Sequence, residues 1–337
     1  MIGGEFEIDL SNYKDSRLIK PGAYYYASGR AALYQILRSI SRIETKVWLP
    51  EWLCSSVVDA VKRAGYQYAH YSLDDNFQAD AQLLEKDGFA DGDIIVIINY
   101  FGLLKIVESS KTVKDSYPNS IVIEDDVQAY WYFVENENEF ADYRFTSLRK
   151  ALPIPDGGIV RTKNKMPEAL RENTFAPLKI KAGTMKLHRG ENSINDENYL
   201  RFFEEGERLI EDNYESKMSS ISHGLYQGVL DQEAKARRRK NADYLIKGLE
   251  SMNILPLMKV LGSATPLFIP IFLNNRNAVR RQMFQHEIFC PVHWPLEGMN
   301  VKLGAEMAEH ELSLIVDQRY TEDNMNQILE IIKKAVL

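Results

Sequence analysis

The stretch Asp93-Ile-Ile-Val-Ile-Ile-Asn-Tyr100 limits the possible folds more than any other part of the chain. Five branched apolar residues in a row, bounded by polar ones, suit a strand buried on both faces. Such strands belong to parallel sheets covered by helices on either side. Ile121-Val-Ile-Glu-Asp125 is a second run of this kind, and Gly158-Ile-Val-Arg-Thr162 reads as a third. Shorter strands are expected at 46–49 and 66–71. Between them, 31–39 and 54–64 read as helices. In the latter, Val57, Val58, Ala60 and Val61 lie mostly on one side, and Gly65 stops the helix. Strands separated by helix-length stretches predict an α/β domain with a mainly parallel sheet.

The composition changes after about residue 164. Residues 165–250 are rich in Glu, Lys, Arg and Asn at helical spacing, and 221–249 reads as one or two long helices. Apolar residues return at 266–273, a strand. Residues 324–336 form an amphipathic helix with Met325, Ile328, Leu329, Ile332 and Val336 on one face. The expected organisation is a large α/β domain over 1–235 and a smaller α+β domain over 236–337, reasonable for 337 residues. A net charge of -7 argues against a protein built to bind nucleic-acid phosphates. Cys54 and Cys290 are far apart, which fits a reducing cytoplasm. The N-terminal residues have no basic or apolar leader pattern, and no apolar run approaches 18 residues. Neither a signal peptide nor a membrane span is expected.

Three short stretches carry candidate chemistry, each at a predicted strand end or helix start, where open α/β sheets collect their ligands. Ser28-Gly29-Arg30-Ala31-Ala32-Leu33 is a small-residue turn opening a helix, so its unpaired N–H groups can hold a phosphate. In Ile123-Glu124-Asp125-Asp126-Val127-Gln128, Asp125 falls where the strand gives out. A carboxylate there can keep a pyridine nitrogen protonated, and Gln128 can reach a ring substituent. In Ser147-Leu148-Arg149-Lys150, followed by Pro153, Pro155, Gly157 and Gly158, the lysine sits on an irregular segment. Lys150 can form an imine with an aldehyde cofactor and then shuttle a proton, with Arg149 and Arg30 as cationic neighbours. Taken singly, each has an ordinary reading: a helix cap by Ser28, a solvated acidic turn, one more surface lysine.

The ordered set resembles the DegT/StrS family of sugar aminotransferases, which use pyridoxal 5'-phosphate (PLP) and have fold type I. The family's S-G-T-A-A-L phosphate-binding segment matches Ser28 to Leu33, with Arg30 in place of Thr. Its I-E-D-A-A-H/Q strand end matches Asp125 and Gln128. Its Schiff-base lysine, with Gly-Gly seven and eight residues later, matches Lys150 with Gly157 and Gly158, and Asn99-Tyr100-Phe101-Gly102 looks like the segment after the intervening strand. The resemblance implies a PLP-dependent transferase fold, Lys150 as catalytic residue, and a cofactor held by Ser28, Gly29, Arg30, Ala31, Asp125, Gln128 and a hydroxyl from Ser147 or Thr146. The family's ring-stacking aromatic falls at Cys54 here, leaving Trp52 as the nearby candidate. No N-Y-R-M segment stands near residues 218–224. The implied reaction moves an amino group from a glutamate-like amino acid to a keto-sugar or other small carbonyl compound, in a cytoplasmic homodimer with the site at its interface. The alternatives are another PLP reaction, such as a lyase, or a binding relative that kept the fold. Dehydratases of the family carry His in place of the lysine, which Lys150 does not match.

The six histidines show no metal-ligand spacing, so no metal is expected. Cys290-Pro291-Val292-His293-Trp294-Pro295 reads as a structural turn, or as a pocket lining with His293 and Trp294 toward substrate. A Cys–His nucleophile pair is the remaining reading. The run Lys235 to Lys240 reads as the solvated face of a helix joining the domains, backed by Leu245, Ile246 and Leu249. Tyr130-Trp131-Tyr132-Phe133 reads as core or dimer interface, and Tyr24-Tyr25-Tyr26 as strand or pocket wall.

Overall fold

The computed structural model describes residues 1–15, 22–41, 44–190, 195–228, 231–295 and 302–336. Its main sheet uses strands β2 (Ala23–Tyr26), β3 (Val47–Pro50), β4 (Tyr68–Tyr71), β5 (Ile94–Ile98), β6 (Ile121–Asp125), β7 (Tyr143–Ser147) and β8 (Gly158–Arg161), in the order β2-β8-β7-β6-β5-β3-β4. Strands β3 to β7 are mutually parallel and β8 is antiparallel to both its neighbours. Every residue of β5 is buried, as its branched apolar run requires. Helices α1 (Gly29–Ser39), α2 (Ser55–Arg63), α3 (Ala81–Asp87), α4 (Val107–Ser116) and α5 (Tyr130–Glu135) connect the strands, and the four-residue α6 (Leu148–Ala151) follows β7. Tyr130, Trp131 and Phe133 of α5 are core residues. Tyr24, Tyr25 and Tyr26 are strand β2.

The turn at residues 124–126 is not solvated. Glu124, Asp125 and Asp126 are all buried. Arg144 on β7 donates to Glu124 at 3.0 Å and to Asp126 at 2.8 Å, and Asn99 adds a bond to Asp126. One guanidinium thus serves both outer carboxyls, and burial beside Glu124 still pushes Asp126 well above the usual carboxylate range; no described cation pairs with the middle one.

The second half is mostly helical before it returns to strand. It contains α7 (Ala176–Leu187), α8 (Asp196–Leu209), α9 (Ser220–Gly228) and α10 (Asp231–Glu250). The long helical expectation at 221–249 thus becomes α9 and α10, with residues 229–230 outside the described ones. A smaller unit follows: β9 (Phe268–Phe272) pairs antiparallel with β11 (Glu311–Ile315). Helices α11 (Arg276–Gln285), α12 (Lys302–His310) and α13 (Glu322–Val336) accompany it, with β10 (Ile288–Phe289). The N-terminal β1 (Ile2–Gly3) pairs in parallel with β10, which puts Ile2 in the same core as Leu249, Ile269, Leu312 and Ile328. The first residues of the chain therefore pack with the last hundred.

One reading of α10 needs correction. Leu245 and Leu249 are buried as expected, but the basic run is not a uniformly solvated face. Arg238 is 1% exposed; it donates to Gln318 at 2.7 Å and to the Leu267 carbonyl at 3.1 Å, while Arg239 donates to the carbonyls of Ser263 and Ala264. Unpaired loop carbonyls before β9 supply the acceptors that make burial of the guanidinium tolerable.

Candidate active site

A cavity of about 470 Å³ lies at the carboxyl ends of the parallel strands. Ile98, Asp125 and Ser147, the last residues of β5, β6 and β7, face it. The opposite wall comes from residues 3–6, from Glu207 and Ile210, and from the smaller unit through Leu267, Phe268, Phe289, His293 and Ile315. This is the position that strand polarity assigns to ligands in an open α/β sheet.

The Asp125 Oδ1 accepts a bond from the Val127 N–H at 2.9 Å. Burial, with no cation beside it, pushes this carboxyl up to about 7. The Gln128 Oε1 accepts from the Phe101 N–H at 3.1 Å, which turns its Nε2 donor toward the cavity. The turn at 99–102 exists to present that N–H: Phe101 has a left-handed φ of 55°, and Asn99 ties the turn to Asp126 and to the Leu104 N–H.

Ser28, which also lines the cavity, caps α1. Its Oγ accepts from the Ala31 N–H at 3.1 Å and its carbonyl from the Ala32 N–H at 2.9 Å. Ala31 is therefore a correction to the expected phosphate set: its N–H is committed to the cap and it does not line the cavity. The N–H groups of Gly29 and Arg30 have no acceptor among the described residues and remain available. A Cβ on Gly29 would press on Val127 at 3.0 Å and on the Ser147 Cβ at 3.2 Å, so only glycine leaves this cradle open. The two candidate hydroxyls differ in their surroundings. Thr146 donates to the Asp126 carbonyl at 2.8 Å and is fully buried, whereas the Ser147 hydroxyl opens on the cavity with no partner among the described residues.

Lys150 lines the same cavity. Its amine makes no hydrogen bond or ion pair to a described residue, and its side chain is exposed. Burial, with Arg149 beside it, pushes the ammonium below the usual lysine range. Arg149 donates to Glu207 at 2.9 Å, Lys179 reaches both Glu5 and Glu207 at 3.0 Å, and Arg30 lies 3.6 Å from Glu207. Burial alone would raise the Glu207 carboxyl, but Arg149, Lys179 and Lys150 hold it far below the carboxylate range. Three cations and two carboxylates thus cluster beside the cavity, with Lys150 adjoining them.

Trp52 is a further correction. It is 1% exposed and does not line the cavity; it stacks on Tyr100, meets Trp294 edge-on and donates its indole N–H to the His293 carbonyl at 2.9 Å. Its bulk supports the wall from behind, while Cys54, Ser56 and Val57 face the cavity. His293 and Trp294 line it. Cys290 does not: its thiol is buried in the smaller unit's core and pushed up to about 12 by that burial, so it forms no nucleophile pair with His293. Among the described residues no cluster of His, Cys, Asp and Glu suits a metal ion.

The sequence reading passed over several contributors. Asp156 is fully buried and accepts from Asn173 at 2.7 Å, from the Ser219 N–H at 2.8 Å, and from the Ser219 and Ser222 hydroxyls. It thereby locks the loop after Lys150. Glu5, Glu207, Arg238, Asp317 and Arg319 also line the cavity, from positions whose spacing carries no local signal. Only Asp156, inside the Pro- and Gly-punctuated loop, stood where a pattern could have flagged it.

No family model and no curated protein sequence matches the chain. Solved structures do match. A DegT DnrJ EryC1 StrS aminotransferase from Brucella abortus is 15% identical with a TM-score of 0.65, over 93% of this chain and 85% of that one. A Streptococcus pneumoniae protein assigned as a sugar aminotransferase, in its PLP form, is 16% identical with a TM-score of 0.69, over 99% and 94%. NtdA from Bacillus subtilis, with bound cofactor PMP, is 15% identical with a TM-score of 0.66, over 92% and 73%. The chain has the fold of these aminotransferases, the one implied by the order of Ser28-Gly29, Asp125 and Lys150. No helix among the described residues is long and apolar enough to cross a membrane.

Proposed function

We propose that the protein is a PLP-dependent aminotransferase that takes an amino group from a glutamate-like amino acid and passes it to a keto-sugar or another small carbonyl compound. The observation that carries this reading is the unpartnered Lys150 amine in a cavity that is also lined by a cation-free buried carboxyl and an open glycine cradle. The residues suit the cofactor. Gly29, Arg30 and Ser147 would hold the phosphate, with Arg149 nearby as a fixed positive charge. Asp125 would pair with the ring nitrogen; a cation placed there returns its carboxyl to the ionised form. The Gln128 Nε2 would donate to the ring oxygen, and Cys54 and Val57 would bound the ring. PLP, when bound, supplies an electron sink for charge that develops on the substrate carbon. Lys150 contributes the amine that anchors the cofactor and then carries a proton to and from that carbon. Its lowered ammonium range keeps a larger fraction of neutral amine ready at ordinary pH.

The structural neighbours described above support this reading. A homodimer with the site at its interface, acting in the cytoplasm on small-molecule substrates, belongs to the same proposal and rests on the resemblance; light scattering of the purified protein tests the dimer. The chemistry is tested by the visible spectrum with added PLP, then borohydride reduction and peptide mapping. The expected result is a PLP adduct on Lys150 and, on adding glutamate, bleaching of the band with release of 2-oxoglutarate. No absorbance change with PLP, or an adduct on another lysine, overturns the assignment. A Lys150 adduct without 2-oxoglutarate release returns the protein to the lyase or binding-protein reading.

A further inference from the structure

Behind His293 lies a hydrogen-bonded group that the reaction above does not use. On β11, Glu311 and Ser313 are two residues apart and so share a face; both are fully buried. The Ser313 hydroxyl donates to the Glu311 Oε1 at 2.5 Å. The His293 Nδ1 lies 2.7 Å from the Ser313 Oγ, and the His293 main-chain N–H donates to the Glu311 Oε2 at 2.6 Å. Phe101, Phe268 and Trp294 surround the imidazole. Its Nε2 makes no hydrogen bond to a described residue, and His293 lines the cavity together with Lys150. Three side chains thus connect a carboxyl in the smaller unit's core with the space where substrate would sit.

We propose that His293, Ser313 and Glu311 form a proton relay that opens into the cavity at the His293 Nε2 and serves a hydroxyl or amino group of the bound substrate. With Glu311 ionised, Ser313 donates to Glu311, the His293 Nδ1–H donates to Ser313, and the Nε2 lone pair faces the cavity. When Nε2 takes a proton from the substrate, the Nδ1 proton passes to Ser313 and the Ser313 proton passes to Glu311. The imidazole ends neutral with its N–H now on Nε2, Glu311 ends as the neutral acid, and the substrate carries the electron pair left behind. The reverse sequence returns the proton.

The surroundings decide where the proton rests. Burial, with Lys150 of α6 facing it, pulls His293 down to about 3, so an imidazolium is not a resting state. Burial pushes Glu311 up to about 8, against the opposing pull of its bonds from His293 and Ser313 and of Arg276 and Arg280 on α11. The buried Cys290 thiol stays neutral and adds no charge. The carboxyl holds the proton that the imidazole cannot, and Ser313 is the link that lets it arrive there. His293 is the group that meets substrate; Ser313 and Glu311 are positioning residues that act through it.

This inference rests on the proposed function only for the identity of the group that gives or takes the proton. Its test therefore uses cofactor-free protein. Histidine labelled with nitrogen-15 reports the tautomer of each ring by NMR, and the His293→Gln variant assigns the signal. The expected result is a switch of the His293 proton from Nε2 to Nδ1 as pH rises through about 8, with no imidazolium signature between pH 6 and 10. In Ser313→Ala and in Glu311→Gln the tautomer no longer follows pH, whereas Ser313→Thr, which keeps the hydroxyl, retains the switch. A single tautomer throughout that range in the native sequence, or an unchanged switch in Ser313→Ala, overturns the relay. A missing Lys150 adduct alongside an intact switch refutes the cofactor reading and leaves the relay standing.

Discussion

Asp125 shows how much a single residue's surroundings determine. It is 5% exposed, accepts one N–H bond, and among the described residues has no cation within hydrogen-bonding reach. Its carboxyl titrates near 7 in the folded protein and near 3.8 in the unfolded chain. Between those values the folded state keeps a proton that the unfolded state has released, so stability falls as pH rises through that window. A shift of this size corresponds to about 4 kcal/mol. The expected outcome for cofactor-free protein is a urea midpoint that declines from pH 5 to pH 8, the decline being reduced in Asp125→Asn by that residue's share while Glu311, also raised by burial, keeps the rest. PLP should recover part of the loss at pH 8 by supplying the missing cation. Equal slopes in the two proteins would show that Asp125 is not the group being titrated. The same contrast separates neighbouring hydroxyls: Thr146 is bound to the Asp126 carbonyl and Ser147 is open, although the sequence offers both.

At the scale of elements, the site depends on a close approach between β8 and the start of α1. Gly158, the first residue of β8, lies against the Ser28 carbonyl so tightly that a Cβ there would overlap it. Gly158 is thus a packing requirement of the α1 N-terminus. Gly158→Ala should displace the α1 N-terminus, cost about 1–3 kcal/mol, and weaken PLP binding. Gly262→Ala, where a Cβ meets nothing within 4 Å, should change neither. Thermal melts and PLP titrations of the two variants check this; equal effects would remove the role given to Gly158. The elements themselves were largely legible, because periodicity and turn residues are local signals: β5, β6, α1, α2 and α13 fall within a few residues of their expected bounds. The antiparallel direction of β8 was not legible, since an apolar run reads the same in either direction.

At the scale of the whole molecule, the cavity is a joint product of distant segments. Residues 3–6, the end of α8, α10 and the smaller unit all reach it. Arg238 is the tie that matters most here, because its guanidinium binds the Pro266 and Leu267 carbonyls just ahead of β9 while its side chain also lines the cavity. Arg238→Met should leave those carbonyls unpaired at a cost of about 1–3 kcal/mol and loosen the wall formed by Leu267 and Phe268. Urea unfolding together with hydrogen exchange at residues 266–268 measures both effects. Unchanged stability with unchanged exchange would return Arg238 to the solvated face first assigned to the run.

The sequence by itself determined the parallel sheet, the order of its strands along the chain, and the ordered set of Ser28-Gly29, Asp125, Gln128 and Lys150. These depend on side-chain chemistry at strand ends and helix starts, which is set by residues a few positions apart. The tertiary structure alone decided that Trp52 stands behind the wall while Cys54 faces the cavity, and that Ser147 rather than Thr146 carries the open hydroxyl. It also brought Glu5, Glu207, Arg238 and the Glu311–Ser313–His293 line to the same place. Those outcomes depend on which groups meet across hundreds of residues and on how much water remains between them. Local pattern carries no record of either.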